Sequence, residues 1–254
     1  MATGTAVAKA KIQSLVDINA EMADEIAALG NRMSAPSGDR IIVTQSKTFK
    51  LPNGQEIDGP FEAVVVDFAA ANFYYTESFD RNNVVPPVCF SLGLEPAGMS
   101  PSGNAPDPQA GACAGCWANQ FGSSGKGKAC QNTRLLAVLP TDADAETPMW
   151  ILKVSPTAIR AFDGHVAAVA RKHGKPVRAV ITSISFSPDS EYATLRFSEA
   201  GLAGSDLLVL AHSRKAEALT RLLTEPDVQL APETKNVKAP PSRKPAAKQA
   251  TARR

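Results

Sequence analysis

Four cysteines lie close together in a chain of 254 residues and are its clearest candidates for chemistry. They are Cys89, Cys113, Cys116 and Cys130; 23 residues separate the first from the second, and 13 separate the third from the fourth. The inner pair forms a C-x2-C knuckle, which can place two thiolates on one metal ion. Four thiolates complete a tetrahedral zinc site with no position left for water. The spacing therefore predicts a structural zinc ion as the cofactor.

Other uses of the cysteines stay open. Two disulfides would also use all four, but residues 1–10 lack an apolar signal region. We therefore expect a cytosolic protein, because disulfides are rare in the cytosol. A thioredoxin-like redox pair favours a strand-to-helix junction, whereas residues 101–111 have the composition of an irregular loop. An iron–sulfur cluster or free thiols are the remaining alternatives, although the spacing matches neither ferredoxin pattern.

Positive charge is concentrated in the cysteine segment, in the element after it, and in the C-terminal tail. Residues 235–254 contain seven basic and no acidic residues, which leaves 20 basic against 25 acidic residues elsewhere. A flexible polycation suits nucleic acid, and a merely solubilising tail is the alternative. The cations that we predict to contact nucleic acid are Lys126, Lys128, Arg134, Lys153, Arg160, Arg171 and Lys172.

Aromatic side chains are the second requirement for binding single strands, because bases stack on them. The candidate platforms are Trp117, beside the knuckle, and Tyr74 and Tyr75 upstream of it, each of which could instead be a packing residue. Together with the cations they predict sequence-independent binding of single-stranded nucleic acid, with DNA favoured. The alternative function is an adaptor that binds a host transcription or replication protein.

No enzyme activity and no catalytic residue are predicted. Residues 122–129 match most of a phosphate-binding loop, but Ala129 replaces the hydroxyl residue that would hold magnesium. Four cysteine ligands would leave no open position for an activated water. The chain also lacks an apolar run of about 20 residues, so no membrane partner is expected.

Strands must position most of these residues. We predict strands over residues 40–49, 61–68, 135–139, 149–154, 177–186 and 192–197, with helices over residues 7–29, from residue 155 to Gly174, and over residues 212–223. This order indicates an α+β fold. Its β-rich core is compatible with an OB-fold-like barrel that carries a zinc-stapled insertion and flanking helices.

The chain divides into three predicted parts. Residues 1–36 form an N-terminal helix, and residues 37–225 form the core domain, with the zinc-binding segment at residues 86–134. Residues 226–254 are rich in Pro and Ala and have little to bury, so we expect a disordered basic tail.

Two segments carry a family resemblance: NFYYTESFDRNNVVPPVCFSLGLEP at residues 72–96 and CAGCWANQFGSSGKGKACQNTRLLAVLP at residues 113–140. They resemble a family of tailed-bacteriophage proteins described as single-stranded DNA-binding proteins, and the similarity covers most of residues 40–200. The resemblance implies zinc ligands at the four cysteines, an OB-like fold, a role in phage replication or recombination, and a location in the cytoplasm of the bacterial host. Trp117 departs from the family pattern, in which proline is frequent at that position.

Overall fold

The computed structural model describes residues 39–77 and 85–228, which form an α+β fold around one curled sheet. The strands of this described part are β1 (Arg40–Val43), β2 (Phe49–Lys50), β3 (Glu56–Ile57), β4 (Phe61–Tyr74), β5 (Cys89–Gly93), β6 (Cys130–Pro140), β7 (Trp150–Val154), β8 (Val180–Phe186) and β9 (Leu195–Leu202). Its α-helices are α1 (Ile159–His173), α2 (Ser205–Ser213) and α3 (Lys215–Leu222). None of these helices has the length and apolar character needed to cross a membrane. The predicted N-terminal helix and residues 229–254 of the predicted tail lie outside the described residues.

The sheet is mixed and follows the order β3-β2-β1-β7-β6-β4-β8-β9. Strands β1 and β7 are parallel, whereas the other neighbours are antiparallel. Strand β4 shares one edge between two partners, with β8 along its beginning and β5 along its end. The curled sheet forms a half-barrel, which confirms the α+β class.

Strand β4 lies inside the sheet and is buried on both faces. Ala63 and Val65 pack in the core that includes α1, whereas Val64 and Val66 pack in the core that includes α2 and α3. We name these two sides of the sheet the α1 face and the α2/α3 face. The pairing register with β6 shifts between Val65 and Asp67, as at a β-bulge.

Helix α1 covers one face because its apolar residues recur at helical spacing. Phe162, His165 and Val169 are buried, three and four positions apart. His165 Nε2 lies 3.1 Å from the buried Thr182 Oγ1 of β8, so the helix carries a polar contact within an apolar layer. The helix ends at Gly174, whose φ of 61° is in the left-handed region that glycine adopts readily. The predicted end of this helix is confirmed.

Helices α2 and α3 cover the opposite face and extend toward the cysteine segment. Ala218 and Leu222 of α3 are fully buried against the sheet. Just after α3, the Glu225 carboxylate accepts hydrogen bonds from the Ser102 hydroxyl at 2.5 Å and the Asn104 amide at 2.7 Å. The chain therefore leaves its last helix beside the segment that carries the cysteines.

We expect Phe162→Ala to lower the free energy of unfolding by about 3–5 kcal/mol. The Phe162 ring is fully buried and makes edge-on contacts with Phe68 at 5.1 Å and Phe197 at 5.2 Å. Urea titration of the full chain measures the change. Tyr192→Ala is the matched control because that ring is 79% exposed, and its effect should stay within about 0.5 kcal/mol. Equal losses in the two variants would contradict this description of the core.

Candidate metal centre and nucleic-acid interface

The ends of three neighbouring strands carry two of the four cysteines. Tyr74, the last residue of β4, is paired with Cys89 of β5 on one side and Cys130 of β6 on the other. This row lies on the α1 face, because the adjacent Phe73 and Phe90 belong to the core of the other face. Strands about 4.8 Å apart place the two cysteine Cα atoms roughly 10 Å from each other. A disulfide allows only about 7 Å, so Cys89 and Cys130 cannot be bridged without backbone movement.

The C-x2-C knuckle supplies the other two cysteines and is tied to its surroundings. The knuckle contains one short 3-10 turn, Cys113–Gly115, and a second 3-10 turn, Trp117–Asn119, follows it directly. The backbone N–H of Cys113 donates to the carbonyl of Met99 at 2.9 Å. The Asn119 side-chain amide donates to the Cys113 carbonyl at 2.8 Å. These bonds fix the first knuckle cysteine relative to the strand ends.

All four cysteines line one small cavity between the knuckle and the strand ends. Its volume is about 10 Å³, close to the least that holds one water-sized particle. Among the residues that the structure describes, no histidine or carboxylate side chain lines this cavity. The remaining lining residues are Asn72, Tyr74, Phe90, Ser91, Pro101, Gln109, Ala118 and Asn119.

The four cysteines converge but do not form a finished ligand set. Within residues 39–77 and 85–228, no group of three or more His, Cys, Asp or Glu side chains could hold a metal ion as arranged. The shared cavity nevertheless places all four cysteines around one space of ionic size. Zinc therefore stays a prediction, and its ligation requires the thiols to close further around the ion.

Burial raises the pKa of the two cysteines that lie on strands, Cys89 and Cys130. It raises the pKa of Cys130 to about 12, and negative charge on Cys113, Cys116 and Cys89 adds to the rise. Burial also raises the pKa of Cys89, although a hydrogen bond from the Gln109 backbone N–H acts in the opposite direction. A metal ion binds the thiolate and displaces its proton, so uptake at this site would release protons.

The donor set and a buried hydroxyl both fit a zinc ion. Soft thiolates suit zinc better than they suit magnesium or calcium. Ser91 lines the same cavity, and its buried Oγ has no hydrogen-bond partner among the described residues. A thiolate bound to the ion could accept a hydrogen bond from that hydroxyl. Metal ligands in proteins commonly form such hydrogen bonds with neighbouring groups, which orient them. The side chains that would hold the ion are those of Cys89, Cys113, Cys116 and Cys130.

The structure brings two of the three predicted aromatic platforms together. Trp117 is 51% exposed and lies edge-on to Tyr74, with ring centroids 5.6 Å apart and an interplanar angle of 76°. The Trp117 indole Nε1 also donates to Gln109 Oε1 at 3.2 Å. Tyr75 instead packs in the core of the α2/α3 face, where burial raises its pKa. It lies on the other side of the sheet from the Trp117–Tyr74 pair.

Several predicted cations lie on opposite faces of the sheet. Arg134 lies on the α1 face, with a side chain only 13% exposed and a 3.2 Å ion pair to Asp163. Lys153 lies on the α2/α3 face, with Nζ 4.9 Å from the centre of the Phe73 ring. Burial, and then the charge of Arg40, lower the pKa of Lys153. These two residues do not form part of one continuous groove.

The other predicted cations differ in how accessible they are. Lys172 is exposed at the end of α1 but forms a 3.0 Å ion pair with Glu199. Lys128 is half-buried and donates to the side-chain oxygens of Asn119 and Asn132. The predicted cations that are exposed, with no ion pair among the described residues, are Lys126, Arg160 and Arg171.

Sequence reasoning missed the polar row next to the cysteines. Asn72 of β4 is paired with Ser91 on one side and Asn132 on the other. Ser91 follows Cys89 by two positions, and Asn132 follows Cys130 by two. Alternate residues of a strand share a face, so this spacing was the signal that could have identified them.

We expect the reduced full chain to bind one Co²⁺ or Zn²⁺ ion, with a thiolate-to-cobalt absorption band when cobalt is used. Cys116→Ser should weaken uptake and make residues 86–134 sensitive to protease, because binding energy at such sites is folding energy. Metal analysis, absorption spectra and limited proteolysis measure these effects. Ser124→Ala, an exposed change in the same segment, is the control. A metal-free protein whose Cys116→Ser variant melts like the wild type would rule out a structural metal centre.

Comparison of this chain with protein-family models, with curated proteins and with solved structures finds no match.

Proposed function

We propose that this protein binds single-stranded nucleic acid, DNA in preference, without sequence specificity, and that one structural zinc ion organises the binding surface. The observation that carries this proposal is the half-exposed Trp117 ring, held beside the cysteine cavity by Tyr74 and Gln109. An exposed indole fixed from two sides offers a base a stacking partner that needs no further ordering.

A second exposed ring lies in the same cysteine segment. Phe121 is 81% exposed, and the ammonium group of Lys128 lies 5.1 Å from its ring centroid. Trp117 and Phe121 follow the knuckle directly in the sequence, so they lie on the segment that the four cysteines would hold. Stacking on rings tolerates any base, which accounts for binding without sequence preference.

Phosphate contacts would come from cations that are free of carboxylates. Lys126 is exposed in the loop between the knuckle and β6, and Arg160 and Arg171 are exposed on α1. The seven basic residues at positions 235–254 add charge without needing a formed surface. Arg134 and Lys172 contribute less to this proposal, because each is already paired with a carboxylate.

Zinc at Cys89, Cys113, Cys116 and Cys130 would have a structural role. The knuckle is a loop with few buried side chains of its own, so the ion would replace the apolar core that the segment lacks. The OB-fold-like barrel and the role in phage replication or recombination, both implied by the family resemblance, belong to this proposal. The curled half-barrel sheet is compatible with that fold.

Binding of the zinc-saturated full chain to a labelled single-stranded DNA oligonucleotide tests the proposal. We expect Trp117→Ala to cost about 1–3 kcal/mol of binding free energy, which is the usual value of one base stack. Tyr192→Ala, a change at an exposed ring between β8 and β9, should leave the affinity unchanged.

Salt titration of the same complex separates the charges from the rings. Lys126→Ala should reduce the slope of log affinity against log salt by about 0.7, because one phosphate contact is lost. No binding at low salt, or equal effects of Trp117→Ala and Tyr192→Ala, would overturn the proposed function.

A further inference from the structure

Lys128 is half-buried and its ammonium group contacts other side chains of the protein, whereas its neighbour Lys126 is exposed. Lys128 Nζ lies 3.1 Å from Asn119 Oδ1, in the turn after the knuckle, and 3.1 Å from Asn132 Oδ1 in β6. Asn132 in turn donates from Nδ2 to Asn72 Oδ1 at 2.7 Å. One ammonium group therefore connects the knuckle to the polar row beside the cysteines.

The contacts of Lys128 leave its positive charge without an anionic partner. Its ammonium group donates to two amide oxygens and lies 5.1 Å from the centroid of the Phe121 ring. Both amides are neutral, and among the described residues no carboxylate forms an ion pair with this lysine. A half-buried cation without a counter-charge is unfavourable unless an anion lies nearby. The nearby groups that can supply negative charge are the thiols: Asn119, which accepts a hydrogen bond from Lys128, lines the same cavity as all four cysteines.

The cysteine cluster would carry an excess of negative charge once a metal ion is bound. Four thiolates around a divalent ion carry a net charge of about −2, and burial makes this excess costly. No other lysine or arginine among the described residues donates to the asparagines that border the cavity. Lys128 is therefore placed to offset the negative charge that metal binding would create.

We propose that Lys128 is a positioning residue of the metal centre, which supplies its counter-charge and ties the knuckle to β6, and is not a phosphate contact. This inference rests on the metal-binding part of the proposed function. The two lysines of the Gly-Lys-Gly-Lys segment then have different roles. The exposed Lys126 contacts the phosphates of nucleic acid, and the half-buried Lys128 offsets the charge of the thiolates.

Zinc affinity of the full chain, measured by competition with a chelator, tests the inference. Lys128→Gln keeps a side-chain donor but removes the charge, and it should weaken zinc binding about 10- to 100-fold, the usual effect of losing an outer partner of a metal ligand. Lys128→Arg should restore binding to within about threefold of wild type, because it restores the charge. Lys126→Gln is the matched control and should leave zinc affinity unchanged.

Oligonucleotide binding at saturating zinc supplies the second measurement. Lys128→Gln should keep the wild-type salt slope, whereas Lys126→Gln should reduce it by about 0.7. Unchanged zinc affinity in Lys128→Gln would overturn the inference, as would equal losses in Lys128→Gln and Lys128→Arg. A wild-type chain that takes up no zinc would instead overturn the metal centre itself, and normal zinc uptake without oligonucleotide binding would overturn only the nucleic-acid function.

Discussion

The pairing register of β4 with β5 and β6 is the constraint on which the candidate site depends. It places Cys89 and Cys130 on either side of Tyr74, in one row on the α1 face. A slip of one residue would turn a cysteine to the opposite face, because side chains alternate along a strand. The register is held by the buried apolar residues farther along β4 and β6, so the sheet core determines where the thiols lie.

The site is also a boundary between two kinds of packing. Next to the cysteine row lies a polar row of Ser91, Asn72 and Asn132, and beyond it the sheet becomes apolar. Asn132 forms hydrogen bonds with both Asn72 and Lys128, whereas the buried hydroxyl of Ser91 has no hydrogen-bond partner among the described residues. A buried polar group without a partner is costly, so this hydroxyl is an independent sign that the cavity is suited to a ligand sphere.

The basic side chains of the folded core do not form one continuous stripe. Arg134 and Lys172 bind carboxylates and so stabilise the contacts of α1 with β6 and β9, and Lys128 donates to Asn119 and Asn132. Only part of the positive charge of the folded core is left for an external polyanion. The predicted basic tail begins at residue 226, directly after Glu225, which is bonded to the cysteine segment, so the chain enters the tail beside the proposed binding surface.

Much of the fold could be predicted from local pattern. The apolar run in β4, the end of α1 at Gly174 and the part of β6 over residues 135–139 follow from periodicity and from glycine chemistry, whereas the predicted start of α1 at Ser155 is a 3-10 turn, Pro156–Ala158, before the helix. Other boundaries could not be found in this way. The predicted strand over residues 40–49 is divided into β1 and β2. The helix predicted over residues 212–223 corresponds to α3, whereas α2 lies before it and was not predicted.

The amino-acid sequence by itself determined the chemistry available to this protein: four thiols, their spacing, and the cations and rings around them. Only the tertiary structure decided which of these groups meet, because strand pairing and side-chain direction depend on partners distant in the chain. Composition cannot show that Tyr74 contacts Trp117 while Tyr75 faces the other side, nor that one lysine of a pair is half-buried. Those outcomes follow from alternation along β4 and from a hydrogen-bond network that forms only when β4, β6 and the segment between the knuckle and β6 come together.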